Sequence, residues 1–399
     1  MSLNSVSSSN RIHISFFGKR NAGKSTLVNA VTNQNIAVVS DVKGTTTDPV
    51  SKSMELLPLG PVVITDTPGF DDVGSLGQLR VETTRRVLRK TDIAVLVADV
   101  SVGITDTENE LISLFAEHNI PYIIVYNKSD VANERHECKE NEIYVSAKNK
   151  EGIHELKELI GSLCPKKINE LFFVGDFLNK DDIVVFVTPI DEAAPRGRLI
   201  LPQQQAIRDA LDFNAISIVV QVPELKRTID LLGDKIKLVV TDSQAFAEVS
   251  PIVPENIYLT SFSILMARIK GLLDSSVYGA AVISKLSEYD KILICEGCTH
   301  HRQCNDIGTV KLPKWLEKFT GKHFNYTFTS GGDFPEDLSG YRLVIHCGGC
   351  MLNDKEMLYR VNSANKQNIP ITNYGIAIAY MNGIFKRSLK VLKIYDDII

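Results

Sequence analysis

Eight consecutive residues, Gly18 to Ser25, fill every position of the pattern GxxxxGK[ST], a spacing that suits the binding of phosphate groups. Its glycines let the backbone curl so that its N–H groups point at phosphate oxygens, and the Lys24 ammonium can neutralise the terminal phosphates. The Ser25 hydroxyl suits Mg²⁺ as a ligand. An apolar run precedes the loop and a helical stretch follows it, as this loop requires. The sequence therefore predicts a nucleoside triphosphate site.

A second polar motif, Asn127 to Asp130, lies about a hundred residues after the phosphate loop and directly follows an apolar run. This motif suits recognition of the base of the nucleotide. The Asp130 carboxylate can accept hydrogen bonds from the N1–H and the exocyclic amine of guanine, which adenine does not present together. Lys128 can lie along the ring. Ser146-Ala147-Lys148 follows a short strand and suits the loop behind the base. The predicted nucleotide is therefore GTP.

Two further motifs suit the metal ion and the terminal phosphate. In Asp66-Thr67-Pro68-Gly69, the Asp66 carboxylate suits a direct or water-mediated contact with Mg²⁺, and the Gly69 N–H suits the γ-phosphate. The run from Gly44 to Asp48 supplies a threonine hydroxyl for the remaining Mg²⁺ position. Phe70 stands where Ras-like switches place a glutamine that orients water, so unaided hydrolysis is expected to be slow.

These motifs occur in the order expected of one domain, and residues 10 to 165 or so resemble a small GTPase domain of the translation-factor-related class. The predicted nucleotide contacts are Asn21, Ala22, Gly23, Lys24, Ser25, Thr26, Thr45, Thr46, Asp66, Gly69, Asn127, Lys128, Asp130, Ser146, Ala147 and Lys148. Of these, Ser25, Thr46 and Asp66 are expected to bind Mg²⁺, and Lys24, Thr46 and Gly69 to act in hydrolysis. Asn21 is similar to its counterpart in potassium-activated GTPases of the tRNA-modification and ribosome-assembly type, which implies K⁺ as a cofactor. The alternative is that Asn21 only forms the turn.

The last third of the chain carries a different chemistry, that of thiolates with nearby imidazoles. One cluster runs from Cys295 to His301 and the other from His346 to Cys350, and each directly follows a predicted strand. The loops after parallel strands share one edge of a sheet, so residues far apart in sequence can meet there. Soft thiolates favour zinc or an iron–sulfur cluster over Mg²⁺ or Ca²⁺.

Spacing alone would select a four-thiolate zinc site from Cys295, Cys298, Cys347 and Cys350. The 48 residues between the two pairs exceed the ~15–20 of a compact zinc ribbon. Cys295 also continues an apolar run and is expected to be a buried small residue. Cys298, Cys347 and Cys350 then remain as ligands, and three thiolates on a [4Fe–4S] cluster leave one iron open to exchange.

Cys298-x-His300, followed after 45 residues by His346-Cys347-x-x-Cys350 and lying downstream of a GTPase, resembles the HydF family of [FeFe]-hydrogenase maturation proteins. The resemblance implies a scaffold that holds a [4Fe–4S] cluster and carries a precursor of the diiron subcluster. It also implies a homodimer that receives this precursor from radical-SAM maturases and delivers it to apo-[FeFe]-hydrogenase. His300 and His346 match the motif histidines and are expected either to be labile fourth ligands or to donate hydrogen bonds to the cargo. Glu296 is another alternative for the fourth ligand, and Cys304 is a candidate outside the motif.

Composition limits the remaining choices. The 399 residues carry 44 Lys and Arg against 48 Asp and Glu, a net charge of −4, which does not suggest a large nucleic-acid footprint. No apolar segment approaches the ~20 residues of a membrane span, so a cytoplasmic protein without membrane partners is expected. In that reducing compartment the seven cysteines are expected to be metal ligands, reactive thiols or buried residues rather than disulfides.

The pattern of apolar runs predicts an α/β protein. The resemblance implies three parts in this order: a P-loop GTPase domain over 8–168, a small α/β dimerisation domain over 169–265 and an α/β iron–sulfur cluster domain over 266–399. Three β-branched runs, at 183–187, 215–222 and 236–240, define the second part. The alternative function is a potassium-activated GTPase of tRNA modification or ribosome assembly with a structural zinc site. A redox or radical enzyme is disfavoured because the sequence has no CxxxCxxC run.

Overall fold

The computed structural model describes residues 8–34, 49–69, 75–132, 135–164, 171–190, 199–297 and 306–393, with the side chains of 75–81 left aside. The chain divides into two compact units, Met1–Ile168 and Asn169–Ile399. Five of the candidate site residues lie outside the described ranges: Thr45, Thr46, Cys298, His300 and Cys304. Phe70 also lies outside them.

The described part of the first unit contains a six-stranded sheet in the order β2-β3-β1-β4-β5-β6, in which β2 pairs antiparallel with β3 and the other pairs are parallel. The strands are β1 Ile12–Phe17, β2 Val50–Leu56, β3 Gly60–Asp66, β4 Ile93–Asp99, β5 Tyr122–Asn127 and β6 Glu142–Val145. The helices are α1 Lys24–Thr32, α2 Ser75–Leu88, α3 Asp106–Glu117 and α4 Ile153–Ser162.

The central strands of this sheet are almost continuously apolar because both of their faces are covered. In β4, Ile93, Val95 and Val97 belong to one hydrophobic cluster, whereas Ala94, Leu96 and Ala98 belong to another on the opposite face. This is the pattern of a parallel sheet with helices on both sides. It places the carboxyl ends of β1, β3, β4 and β5, and the loops that follow them, at one edge.

The second unit contains, in its described residues, two four-stranded parallel sheets in the orders β10-β9-β7-β8 and β12-β11-β13-β14. The strands are β7 Ile183–Val187, β8 Ile216–Val220, β9 Ile236–Thr241, β10 Tyr258–Ser261, β11 Lys291–Glu296, β12 Asn325–Ser330, β13 Leu343–His346 and β14 Ile371–Asn373. The helices are α5 Leu201–Asp212, α6 Val222–Leu232, α7 Phe246–Val249, α8 Phe262–Ile269, α9 Leu273–Ala280, α10 Leu312–Thr320, α11 Asp354–Lys366, α12 Tyr374–Met381 and α13 Phe385–Leu389.

A single hydrophobic cluster extends through this unit, from Phe173 to Leu392, and includes side chains from both sheets. The α/β architecture expected from the sequence, with the P-loop domain first, is confirmed. The run at 215–222 is split, because β8 ends at Val220 and α6 begins at Val222. The sequence analysis did not identify β10 or β12, each of which lies at one edge of its sheet. In the described part of the chain, no helix combines the length and the apolar character that crossing a membrane requires.

Candidate functional site

The loop between β1 and α1 adopts backbone angles that only glycine accepts readily. Gly18 has φ +141°, and a Cβ there would lie 2.2 Å from the carbonyl oxygen of Val97. Gly23 has φ +85°, and a Cβ there would lie 2.3 Å from Nδ2 of Asn127. Both contacts are far shorter than real Cβ atoms show, so this close loop requires glycine at both positions.

Lys24 begins α1 and is only 7% exposed. Its Nζ donates hydrogen bonds to the loop carbonyls of Gly18, at 2.9 Å, and of Lys19, at 2.7 Å. The ammonium is thereby held inside the loop whose N–H groups suit phosphate. This is the position that the sequence motif predicts for neutralising the β- and γ-phosphates.

Ser25 and Asp66 meet at the site predicted for Mg²⁺. The Ser25 hydroxyl donates to Oδ2 of Asp66 at 2.6 Å, whereas Oδ1 of Asp66 is buried and has no hydrogen-bond partner among the described residues. Burial raises the pKa of Asp66, and the Ser25 hydroxyl and the Lys24 charge partly oppose this rise. A buried carboxylate oxygen without a donor, next to a hydroxyl, fits a hard cation such as Mg²⁺.

One amide connects the phosphate loop to the base-recognition motifs. Asn127 donates from Nδ2 to the carbonyl of Ala22 at 2.9 Å and accepts from the N–H of Ala147 at 3.1 Å. Next to it, Oδ1 of Asp130 accepts from the Ser146 hydroxyl at 2.7 Å, which holds the pKa of Asp130 below its ordinary value. The structure thus brings together the predicted guanine-binding residues of both motifs.

Lys128 has a partner that the sequence analysis did not consider. Its Nζ lies 2.6 Å from Oδ2 of Asp99, at the end of β4. The parallel register of β4 and β5 places Asp99 opposite Asn127, so the pairing could have been inferred from the two strand ends. The remaining predicted contacts lie around the same edge, with Thr26 half-buried and Asn21 and Lys148 exposed.

A second group of polar side chains lies at the carboxyl ends of β11 and β13. These strands are adjacent and parallel, with Cys295 opposite His346. The sulfur of Cys347 accepts hydrogen bonds from the N–H of Gly297, at 3.0 Å, and of Gly349, at 3.4 Å. Sulfur that receives backbone N–H groups is typical of thiolates that bind metal clusters. These two hydrogen bonds therefore favour the thiolate form of Cys347.

Cys350 lies half-buried in the same loop. Burial raises the pKa of Cys350, and the nearby Lys270 charge opposes this rise. Cys298, the third expected thiolate, follows Gly297 in the chain but lies outside the described ranges. Within those ranges no group of three or more His, Cys, Asp or Glu side chains could hold a metal ion. Cys295 is fully buried, as expected, and burial raises its pKa to about 11.

His346 does not have a ring nitrogen available for a cluster. Its Nδ1 lies 2.7 Å from the carbonyl oxygen of Cys347, and its Nε2 lies 2.9 Å from Nη1 of Arg360. A guanidinium only donates, so Nε2 is the acceptor and Nδ1 carries the proton. Burial and the Arg360 charge lower the pKa of His346 to about 3. This geometry argues against the interpretation of His346 as a labile ligand.

Glu296, the carboxylate alternative for the fourth ligand, ends β11 and is buried. The Tyr374 hydroxyl donates to its Oε1 at 3.4 Å. Gly308 packs against both groups, since a Cβ there would lie 2.2 Å from the Tyr374 hydroxyl and 2.5 Å from Oε1 of Glu296. Glu296 is therefore held close to the thiolate loop by its own strand and by α12.

Two family models match the second unit. Residues 173–271 match the "Hydrogen maturase F dimerization domain", and residues 274–391, which include Cys347 and Cys350, match the "Hydrogen maturase F tetramerization domain". Together they cover more than half of the sequence. The chain belongs to the hydrogen maturase F family. In this maturase F chain, residues 13–128 match a third model, described as "50S ribosome-binding GTPase", so the first unit carries a GTPase domain.

Curated relatives resemble the GTPase part of this maturase F chain. The tRNA modification GTPase MnmE of Legionella pneumophila (strain Corby) is 36% identical over 147 residues, which is 36% of this chain and 32% of that protein. GTPase Der of Wolinella succinogenes is 36% identical over 165 residues, 37% of this chain and 35% of that protein. The chain thus spans about a third of the length of these curated relatives.

Among solved structures, a single-residue variant of Aquifex aeolicus Era bound to GDP·AlF₄⁻ is 19% identical to the maturase F chain, with a TM-score of 0.36. That match covers 55% of this chain and 96% of the Era chain. The elongation factor SelB of Methanococcus maripaludis, bound to a GTP analogue, is 24% identical over 38% of this chain and 33% of its own, with a TM-score of 0.31.

Proposed function

We propose that this chain is a GTP-hydrolysing scaffold that holds a [4Fe–4S] cluster and carries a precursor of the diiron subcluster to apo-[FeFe]-hydrogenase. Membership of the hydrogen maturase F family supports the maturation role. The observation on which the proposal chiefly rests is the pair of N–H···S hydrogen bonds to Cys347, one of which comes from the β11 loop. It links the two cysteine motifs across 50 residues of sequence.

The cluster would be held by Cys298, Cys347 and Cys350. Gly297, which precedes Cys298 in the sequence, donates its N–H to the sulfur of Cys347. Glu296 and His300 remain as alternatives for the fourth ligand. We do not propose His346 for this role, because its Nε2 already accepts a hydrogen bond from Arg360. An exchangeable fourth position is the property a carrier needs, because incoming cargo can replace the ligand there.

The first unit would bind GTP with Mg²⁺ and hydrolyse it slowly. Lys24, Ser25 and Asp66 would contact the phosphates and the metal ion, with Thr45, Thr46 and Gly69 acting at the γ-phosphate. K⁺ bound near Asn21 would supply positive charge in place of an arginine finger. The names of the two matched domains support self-association, and radical-SAM maturases would be the donors of the cargo.

The cluster proposal is tested by measuring iron, sulfide and zinc in anaerobically purified protein, together with EPR spectra after reduction. We expect about four irons per chain and a [4Fe–4S] signal that is lost in Cys298→Ala, Cys347→Ala and Cys350→Ala. The matched control is Cys295→Ala, which removes a fully buried thiol from the adjacent strand and should keep the cluster. A colourless protein that holds zinc in place of iron would overturn the proposal.

The metal role of the first unit is tested separately with Asp66→Asn. The substitution keeps the size of the side chain but removes the charge at the buried Oδ1, so Mg²⁺-dependent GTP hydrolysis should fall by about 100-fold or more. Iron content should be unchanged. Wild-type hydrolysis in this variant would contradict the assignment of Asp66 to the metal ion.

A further inference from the structure

Two buried cations bind the two ends of the loop that carries Cys347 and Cys350. Arg360, on α11, is fully buried, and the side chain of Lys270, just after α8, is only 3% exposed. Arginine and lysine are rarely buried to this degree unless their charges are paired and their donors are used. The hydrogen-bond acceptors of these two side chains indicate their role.

At the first end of the loop, Arg360 acts through His346. Nη1 of Arg360 donates to Nε2 of His346 at 2.9 Å, which leaves the proton on Nδ1, and Nδ1 donates to the carbonyl of Cys347 at 2.7 Å. Glu356 balances the guanidinium, accepting from its Nη2 at 2.9 Å and from its Nε at 3.1 Å. Nη2 also donates to the carbonyl of Gly331 at 2.6 Å. The guanidinium thus fixes the imidazole, and the imidazole fixes Cys347.

At the other end of the loop, Lys270 acts directly. Its Nζ donates to the carbonyl of Leu352 at 2.9 Å and pairs with Oδ1 of Asp354 at 2.8 Å. Lys270 lies within the part of the chain that matches the dimerization domain, whereas the loop lies within the tetramerization domain. The same helix supplies Met266, which packs 3.4 Å from where a Cβ of Gly348 would be.

We propose that Arg360, acting through His346, and Lys270 are positioning residues that hold the Cys347–Leu352 loop at its two ends for thiolate ligation. The proposal rests on the function proposed above in assigning the cluster to this loop. It adds that the part of the chain matching the dimerization domain contributes to the site, since Lys270, directly after α8, holds one end of the loop. Removing a residue that hydrogen-bonds to a metal ligand and orients it typically lowers metal affinity 10- to 100-fold. A nearby cation also stabilises the added negative charge of a reduced cluster.

The test compares two variants of the full chain, Lys270→Met and the double variant Glu356→Gln with Arg360→Met. The double variant removes both buried charges, because Arg360→Met alone would leave Glu356 buried without a counter-charge and could unfold the domain. The matched controls are Lys322→Met and Arg387→Met. Each removes a lysine or an arginine that donates hydrogen bonds to backbone carbonyls elsewhere in the unit.

Two measurements are made on each variant. Hydrogen exchange by mass spectrometry on the iron-free protein should show the amides of residues 347–352 exchanging about tenfold faster in both test variants and at the wild-type rate in both controls. After reconstitution with ferrous iron and sulfide under anaerobic conditions, cluster affinity should fall about 10- to 100-fold in both. The midpoint potential of the remaining cluster, followed by EPR, should become more negative in Lys270→Met.

Wild-type loop exchange together with a wild-type midpoint potential in Lys270→Met would overturn the proposal, as would equal changes in the controls. If the thermal melt shows that the double variant does not fold, the result for Lys270→Met alone decides whether the proposal holds. Wild-type protein that takes up no iron would contradict the proposed function, whereas the exchange measurement on iron-free protein would still decide the positioning role. GTP hydrolysis should be unchanged throughout.

Discussion

At the scale of single residues, the contacts within the nucleotide site are easier to predict from sequence than the contacts around the Cys347 loop. Contiguous motifs such as Gly18 to Ser25 carry their own geometry, because chain connectivity alone brings the glycines, the lysine and the hydroxyl together. The partners of the cysteines are different. Arg360 and Lys270 stand in helical segments with ordinary patterns, and their meeting with the Cys347 loop depends on tertiary packing. The sequence motif suggested that His346 could be a ligand, because the sequence does not show that Arg360 packs against its ring. In the fold, His346 instead connects Arg360 to the carbonyl of Cys347.

Replacing Gly23 should abolish nucleotide binding. Gly23→Ala would place a Cβ 2.3 Å from Nδ2 of Asn127 at a φ of +85°, so the phosphate loop or the Asn127 bridge must shift. We expect affinity for a fluorescent GTP analogue to fall at least about 100-fold and stability to fall by about 1–3 kcal/mol. Gly103→Ala is the matched control, with a φ of +73° but no described atom within 4 Å. Equal losses in both variants would refute the steric explanation.

Acid should destabilise the second unit through His346. Its pKa is about 3 when folded and about 6.5 when exposed, so between these values the unfolded state binds a proton that the folded state does not. Stability is therefore retained above about pH 6.5 and lost as the pH falls, by about 2 kcal/mol between pH 7 and pH 5. Chemical unfolding of iron-free protein measures this loss. His346→Gln should flatten the profile, whereas His323→Gln, which removes an exposed histidine, should not.

At the scale of elements, the strands with continuous apolar runs were recognisable, including the edge strand β8, whereas β10 and β12 were not. β11 and β13 are buried on both faces, which selects apolar residues at almost every position. β12, with the sequence NYTFTS, has half-exposed positions, and β10 has only four residues. β12 has one neighbouring strand and less apolar surface to bury, so its pattern is weak.

The packing of α9 on β14 should be intolerant of any side chain at Gly279. A Cβ there would lie 2.2 Å from the carbonyl oxygen of Ile371, and backbone at that position cannot move aside without shifting the strand. Gly279→Ala should reduce the free energy of unfolding by about 1–3 kcal/mol, measured by urea denaturation. The comparison is Gly340→Ala, which has no described atom within 4 Å and should cost little. A neutral Gly279→Ala would mean that the helix and strand readily separate.

At the scale of the whole molecule, the two units have separate hydrophobic cores. The second and third domains share one cluster, from Phe173 to Leu392, although two distinct family models describe them. This shared core was not predictable from sequence, since periodicity marks buried faces but does not say which faces meet. It explains how a lysine of the second domain can act on a loop of the third.

Calorimetry should therefore resolve two thermal transitions, one for each unit. GTP with Mg²⁺ at about 100 times its Kd should stabilise only one of them, by about 2.7 kcal/mol. Gly279→Ala should lower only the other. Three transitions, or separate melting of the second and third domains, would contradict the shared core. A control scan with ATP should leave both transitions unchanged, because the Asp130 motif selects guanine.

The pairing of β11 with β13 also sets an order of events during synthesis. The N–H of Gly297 meets the sulfur of Cys347 across 50 residues of sequence, and at about 5–20 residues per second a ribosome takes several seconds to add them. A nascent chain that has only its first cysteine motif has no partner loop, and the sheet that joins the two motifs does not yet exist. On the function proposed above, metal loading would accordingly follow the pairing of β11 with β13, and the iron supply would act on a chain whose C-terminal sheet has already folded.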